Sequence, residues 1–280
     1  MSEHEITIEY EDVHKRFDAP VLSGVSLTVR RGETISILGT SGTGKSVLLK
    51  TTIGLITPDR GDVRIDGVSV YHSSPHDLRG IRQAVRYVFQ YAALFDSLNI
   101  YDNVAMGLSP EAQSRLDKAT LLDRIATSLE NVNLDPAKVL SKLPAELSGG
   151  MRKRVGLARA IVGDPRIILY DEPVTGLDPV NAATVNRLIT SIAERTRVTS
   201  IVVTHDIPGA LEMSDRVALL DNGKLRFVGT PAEFRASEDP LVMAFADRQA
   251  AARAALKLIE HESNDDENES GTPHAVSIGV

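Results

Sequence analysis

Gly39-Thr40-Ser41-Gly42-Thr43-Gly44-Lys45-Ser46 is the stretch on which the fold turns. It follows the spacing of a phosphate-binding loop, a glycine, four residues, then Gly-Lys-Ser/Thr. Glycines let backbone N–H groups turn inward around phosphate oxygens, and the N-terminus of a following helix adds partial positive charge. In such a loop Lys45 would reach the β- and γ-phosphates and the Ser46 hydroxyl would hold Mg²⁺. The flanks suit the motif. Ile35-Ser36-Ile37-Leu38 reads as a strand entering it, and Val47-Leu48-Leu49-Lys50 starts a helix leaving it. A strand-to-helix turn that bound no nucleotide would not require Lys-Ser at its end.

Outward from the loop, short β-branched runs alternate with helical patterns. Ile6–Tyr10 and Leu22–Val29 alternate apolar and polar residues, as strands with one solvated face do, whereas Glu33–Leu38 is a continuous run suited to a buried strand. Further strands are expected at Asp62–Asp66, Val85–Phe89, Ile167–Asp171, Thr199–Thr204, Val217–Leu220 and Leu225–Val228. Helices are expected at Lys45–Leu55, Arg115–Asn131, Met151–Gly163, Val180–Arg195, Pro231–Ala236 and Pro240–Ile259. The mixture predicts an α/β fold with an antiparallel portion near the N-terminus and a helical lobe inserted at about 91–165.

Two more stretches carry chemistry. Arg166-Ile167-Ile168-Leu169-Tyr170-Asp171-Glu172 is an apolar strand ending in two carboxylates. Neighbouring side chains on a strand point to opposite faces, so one carboxylate can complete a Mg²⁺ shell while the other faces an attacking water as general base. Leu147-Ser148-Gly149-Gly150-Met151 precedes a helix with apolar positions at Met151, Val155, Ala158 and Val162. Ser148 is a good N-cap, and the glycines allow an anion to approach; a capped core helix explains the same residues equally well.

In this order the motifs resemble the ATP-binding cassette (ABC) ATPase family over roughly 5–235. Gln90, ending the strand Val85–Phe89, is similar to the family's Q-loop, and 147–151 to its signature loop. Asp171-Glu172 is similar to the Walker B pair, Gly176-Leu177-Asp178 to the D-loop, and Thr204-His205-Asp206 to the switch histidine. The resemblance implies a P-loop NTPase with a RecA-like core, an N-terminal antiparallel portion and an inserted helical subdomain. It implies a head-to-tail dimer around two ATP molecules, each bound by one copy's phosphate loop (Gly39, Thr40, Ser41, Gly42, Thr43, Gly44, Lys45 and Ser46) and the other's Ser148, Gly149 and Gly150. Glu172 would then be the general base and His205 a γ-phosphate contact. Gln90 would sense Mg²⁺ and water, Asp171 would join Ser46 at the metal, and Asp178 would couple the two sites. There are two departures from the pattern. Met151 replaces the commoner Gln, and the best match to the adenine-stacking Tyr is Phe17, which can stack but not donate a hydrogen bond.

The run from Phe89 to Ala105, with Leu143-Pro144-Ala145-Glu146, Thr204-His205-Asp206-Ile207-Pro208 and Asp239-Pro240-Leu241-Val242, resembles the ATPases of MCE-associated (Mla and Mce) lipid transporters. That resemblance implies a separate integral-membrane permease met through about 91–103, with Leu94, Phe95 and Ile100 as candidate contacts; packing within the helical lobe is the competing reading of these three. It also implies an MCE-domain lipid-binding protein and a small regulatory subunit as further partners. A generic importer of small polar solutes, a soluble ABC ATPase without a permease and a P-loop kinase are the competing classes; the last leaves the signature loop unexplained.

Composition bounds the rest. With 25% charged and 42% hydrophobic residues over 280, the chain is ordinary globular protein, and without cysteine it has no thiolate chemistry or Cys-based metal site. The net charge of -7 lies largely in the tail, where Glu260, Glu262, Asp265, Asp266, Glu267 and Glu269 occur without Lys or Arg. The nearly neutral body argues against nucleic acid as a partner. There is neither a signal-peptide pattern after Met1 nor an apolar run long enough to span a bilayer, so the expected location is peripheral, at the cytoplasmic face of the inner membrane. The expected division is 1–90 and 166–238 as the ATPase core, 91–165 as the helical subdomain, 239–259 as a docking helix, and 260–280 as a disordered acidic tail.

Overall fold

The computed structural model describes residues 5–247. In chain order the elements are β1 (Ile6–Arg16), β2 (Pro20–Arg30), β3 (Thr34–Leu38), α1 (Lys45–Thr51), β4 (Arg60–Ile65), β5 (Val68–Ser69), α2 (Pro75–Ala84), β6 (Val85–Val88), α3 (Ile100–Ala105), α4 (Pro110–Ser114), α5 (Lys118–Glu130), α6 (Pro136–Val139), a 3₁₀ turn (Pro144–Glu146), α7 (Gly149–Ile161), β7 (Ile167–Asp171), α8 (Pro179–Thr196), β8 (Thr199–Thr204), α9 (Ile207–Met213), β9 (Arg216–Asp221), β10 (Lys224–Gly229) and α10 (Pro231–Arg235). The chain divides into two compact units between Arg235 and Ala236. In the second, Asp239 Oδ1 caps a helix over 240–247 by accepting from the Leu241 and Val242 amides at 2.8 and 3.3 Å. The rest of the expected docking helix and the acidic tail lie outside the described residues.

Two sheets build the first unit. One is four-stranded and antiparallel, in the order β2-β1-β4-β5; the other has six strands in the order β10-β9-β3-β8-β7-β6, parallel except for β10. Its central strands β3, β7 and β8 are buried at every position, which is why apolar or small hydroxyl residues fill both of their faces up to Asp171. Alternation sorts their side chains between two cores. Ile168 and Tyr170 of β7 pack with Val155 of α7 and Val185 of α8, whereas Ile167 and Leu169 pack with Leu48 of α1 and with Tyr10 and Val25 of the antiparallel sheet. By the same parity Asp171 falls on the α1 side, and this places it near the phosphate loop.

Several elements differ from the sequence expectation. β1 runs on to Arg16 through polar residues, with register shifts around Asp12, whose φ is 47°. α1 stops at Thr51 because Tyr71 captures its end, the phenol donating to the Thr51 carbonyl and to the Ile56 carbonyl at 2.7 Å. α2 has only Leu78 and Ile81 packed inward, too weak a periodicity to see; its one signal was the cap, where Ser74 Oγ accepts from the Asp77 amide with Pro75 at the first turn. The expected helix Arg115–Asn131 is α5, which starts at Lys118 because Asp117 caps it; the short α4, capped by Ser109 with Pro110 in its first turn, precedes it and was not expected.

Candidate functional site

β3, β6, β7 and β8 are parallel neighbours in register, Leu38 beside Thr204, Val203 beside Asp171, and Tyr170 beside Val88. Their carboxyl ends therefore deliver Gly39, Gln90, Glu172 and His205 to one edge. β3 is also where the strand order reverses, since the chain leaves it for β6 at the far edge, returns through β7 and β8, and then crosses to β9. Ligands of open α/β sheets bind in this crevice.

The phosphate loop is tightly built. A Cβ at Gly39 would lie 2.5 Å from the Leu220 carbonyl oxygen and 2.8 Å from Thr43 Oγ1, so only glycine fits there. Gly44 has a φ of 98°, and its Cβ would meet the Val21 carbonyl at 2.8 Å. Lys45 ties the loop to itself, its Nζ donating to the Gly39 and Thr40 carbonyls at 2.8 and 2.9 Å. Only 5% of Lys45 is exposed, and its Nζ stands 3.6 Å from Glu172 Oε1. Burial pushes this ammonium below its usual pKa, while Glu172 and Asp171 pull it back up. A polyanion beside it would supply the charge that burial asks for.

Two hydroxyls hold the Asp171 carboxylate. Ser46 Oγ donates to Oδ1 at 2.6 Å, and Tyr87 Oη donates to Oδ2 at 2.6 Å. Burial, then the hydrogen bond to Asp171, raises the Tyr87 pKa and keeps the phenol a donor. Ser46 and Asp171 together offer hard oxygen ligands of the kind that hold Mg²⁺ through one protein carboxylate and substrate phosphates. Among the described residues no cluster of three or more His, Cys, Asp or Glu could hold a metal by itself.

Glu172 sits just past β7 with a φ of 50°, and its amide donates to the Val203 carbonyl at 2.9 Å. Its Oε2 accepts from Thr175 Oγ1 at 3.0 Å and is paired with His205 Nδ1 at 2.7 Å. Burial pushes the Glu172 carboxyl up, but His205, Lys45 and Thr175 together hold it below the usual value. The Glu172 hydrogen bond raises the His205 pKa, with burial opposing it.

A group whose pKa is raised by folding stabilises fully below its unfolded value and loses that contribution as pH rises through the folded value. The thermal-midpoint gap between wild type and His205→Ala should therefore be widest near pH 6 and close at alkaline pH. A gap that widened with pH would contradict this pairing. Since His205 is half exposed, the gap should be small throughout.

Other expected residues lie as follows. Ser148 Oγ caps α7 by accepting from the Met151 amide at 3.3 Å, leaving Ser148 and Gly149 exposed. A Cβ on Gly150 would lie 2.6 Å from Asn181 Oδ1, and Asn181 Nδ2 donates to Asp178 Oδ2 at 2.5 Å. Asp178 caps α8, its Oδ1 accepting from the Val180 and Asn181 amides at 3.1 and 3.0 Å. Phe17 is exposed in the turn between β1 and β2, with the Lys15 ammonium 5.4 Å from its ring centre. Gln90 follows β6, and its backbone carbonyl accepts from the Lys153 ammonium. Sequence reasoning missed Tyr87, Thr175, Asn181 and Lys153. None of the four carried a signal, since each meets its partner through packing between elements that are apart in sequence or through a local turn that no motif marks.

With this geometry established, comparison with known proteins is direct. The sequence profile of the family described as ABC transporter matches residues 22–175, more than half of the chain. The chain is 40% identical over 241 residues to the "probable ribonucleotide transport ATP-binding protein mkl" of Mycobacterium tuberculosis, a match covering 86% of this chain and 66% of that protein. It thus spans just under two thirds of the length of that relative. It is 37% identical over 227 residues to the "intermembrane phospholipid transport system ATP-binding protein MlaF" of Escherichia coli, covering 81% of this chain and 83% of that one. Among solved structures it is similar to the dimeric ATP-binding cassette MJ0796 in a post-hydrolysis state bound to ADP and Pi, with a TM-score of 0.72, 29% identity, and coverage of 80% of this chain and 98% of that one. The chain belongs to the ABC transporter family of ATP-binding cassette proteins.

Proposed function

We propose that the chain is the ATP-hydrolysing subunit of a transporter that moves phospholipid or another lipid, working as a two-fold dimer beneath a separate permease. One observation carries the ATPase reading: Lys45, Ser46, Asp171, Glu172 and His205 meet at the carboxyl edge of the parallel sheet, joined by direct hydrogen bonds and an ion pair. In this reading Gly39–Ser46 cradle the polyphosphate and Phe17 stacks on adenine. Ser46 and Asp171, with Gln90, would hold Mg²⁺, which would supply positive charge against the phosphates. Glu172, ionised at neutral pH, accepts the proton of the attacking water. His205 orients that carboxylate and, as a donor, meets the γ-phosphate.

Completing the site takes a second copy. Ser148 and Gly149 are exposed at the start of α7, and Asp178 is exposed at the start of α8. The Asn181 side chain touches Gly150 and Asp178 together, so both loops are presented as one surface to the partner copy. Among the described residues no helix is long and apolar enough to cross a membrane, so transport requires a permease. Of the expected contacts only Phe95 is exposed, whereas Ile100 is fully buried in the core and Leu94 packs against it. Segment 91–103 thus offers the permease Tyr91 and Phe95, on a turn shaped by the buried Asn103 amide, whose Nδ2 donates to the Phe95 and Leu98 carbonyls at 3.1 and 2.9 Å. Here 91–165 acts as the helical subdomain, and the complex sits at the cytoplasmic face of the inner membrane with an MCE-domain protein and a small regulatory subunit.

The similarity to MlaF supports lipid as the cargo. The name of the mycobacterial relative favours a second reading, a small polar solute such as a ribonucleotide. Affinity purification in mild detergent, followed by lipid extraction, separates them. Phospholipid at near-stoichiometric amounts with a polytopic permease is the expected result. A permease recovered without lipid would turn the reading to the polar solute, and soluble partners alone would refute transport.

A further inference from the structure

Lys153 is a buried cation that the reaction as described does not use. It lies one turn into α7, only 8% exposed, and its ammonium donates to the backbone carbonyl of Gln90. Burial pushes its pKa down, and the Glu172 charge draws it back up. The same face of α7, three and six residues on, holds the following turn. Gly156 packs on Ala92, where a Cβ would come within 3.3 Å of the Ala92 Cβ. Arg159 donates to the Ala92 and Ala93 carbonyls at 2.6 and 2.7 Å. Ala92 and Ala93 both have left-handed backbones, with φ of 56° and 45°, a conformation that needs outside support in residues with a side chain.

We propose that Lys153 is a positioning residue for hydrolysis: it locks the turn carrying Gln90 to the helix that begins at Ser148-Gly149-Gly150, so that Gln90 is placed for the reaction only when that helix is. Resting on the ATPase reading above, this assigns a role to a residue whose side chain bonds the Gln90 backbone and stands outside the group formed by Lys45, Ser46, Asp171, Glu172 and His205. A flexible ammonium holding a carbonyl makes a directional tether that an apolar side chain cannot replace. An Arg guanidinium at the same place can, since it also donates to a carbonyl.

The test compares full-length wild type, Lys153→Met and Lys153→Arg. Met keeps the length and apolar stem of Lys and removes a charge that burial disfavours, so the Met variant should fold, with the Gln90 carbonyl left without this donor. Its kcat for ATP should fall at least tenfold, with KM changed less than threefold. In the nucleotide-free protein the Ala92 and Ala93 amides, which donate to the Phe89 and Tyr91 carbonyls at 3.1 and 2.6 Å, should exchange with solvent at least tenfold faster while β7 stays protected. Lys153→Arg should restore both readouts to within threefold of wild type. A Met variant with kcat within twofold of wild type overturns the proposal. So does a loss that Arg fails to rescue and that β7 exchange shares, because that marks a general packing role. Absence of turnover in the wild type would instead overturn the ATPase reading.

Discussion

Glu172→Gln is expected to hydrolyse ATP at least 100-fold more slowly than wild type while binding it at least as tightly. General-base assistance contributes roughly 10²–10⁴-fold, and an amide cannot take a proton from water. The substitution keeps shape and most contacts. The amide oxygen can still accept from Thr175 and His205, which bond Oε2 at 3.0 and 2.7 Å in the wild type. What disappears is the negative charge 3.6 Å from the Lys45 ammonium. Lys45 is then left with Asp171 as its nearest counter-charge, so a polyphosphate meets less competition for it. Single-turnover hydrolysis and titration with ATP measure the two effects separately. Turnover at the wild-type rate would remove Glu172 from the role of base.

That carboxylate pair also shows where sequence and structure part. The phosphate loop is legible because its chemistry is local: consecutive backbone amides need glycine at fixed offsets, and Lys45 bonds carbonyls five and six residues before it. The α/β class is legible for a similar reason, since strands buried on both faces carry consecutive apolar residues, Ile167–Leu169 in β7 and Ile201–Val203 in β8. Contacts between elements leave no such trace. Lys153 reaches Gln90 across 63 residues of chain, and Tyr87 reaches Asp171 across 84. Nothing near either residue marks the partner. Asn181 is legible only as a residue just inside α8; that it lies against Gly150 follows from the packing of α7 on α8. The left-handed backbones at Ala92, Ala93 and Glu172 fall outside any propensity argument, because tertiary hydrogen bonds impose them.

Lys45→Ala should lose nucleotide affinity by two orders of magnitude or more, the largest binding effect expected of any single change in the loop. Truncating one partner of a buried, hydrogen-bonded charge pair costs about 2–5 kcal/mol, or roughly 30-fold to several thousandfold in affinity. Two causes act here. The Gly39 and Thr40 carbonyls lose the ammonium that gathers them, so the loop no longer arrives pre-shaped. Asp171 and Glu172 lose the cation that offsets their charge, and the site becomes repulsive to polyphosphate. Titration with a non-hydrolysable ATP analogue, alongside circular dichroism to confirm folding, reads the loss; affinity within threefold of wild type would end the phosphate-loop reading. The double variant Lys45→Ala/Glu172→Gln separates the causes. If repulsion dominates, removing the Glu172 charge should recover at least tenfold of the lost affinity. If loop shape dominates, the double variant should bind as weakly as Lys45→Ala, because neither substitution returns a donor to the Gly39 and Thr40 carbonyls. The 3.6 Å approach of Lys45 to Glu172 in a site shielded from water favours the first outcome.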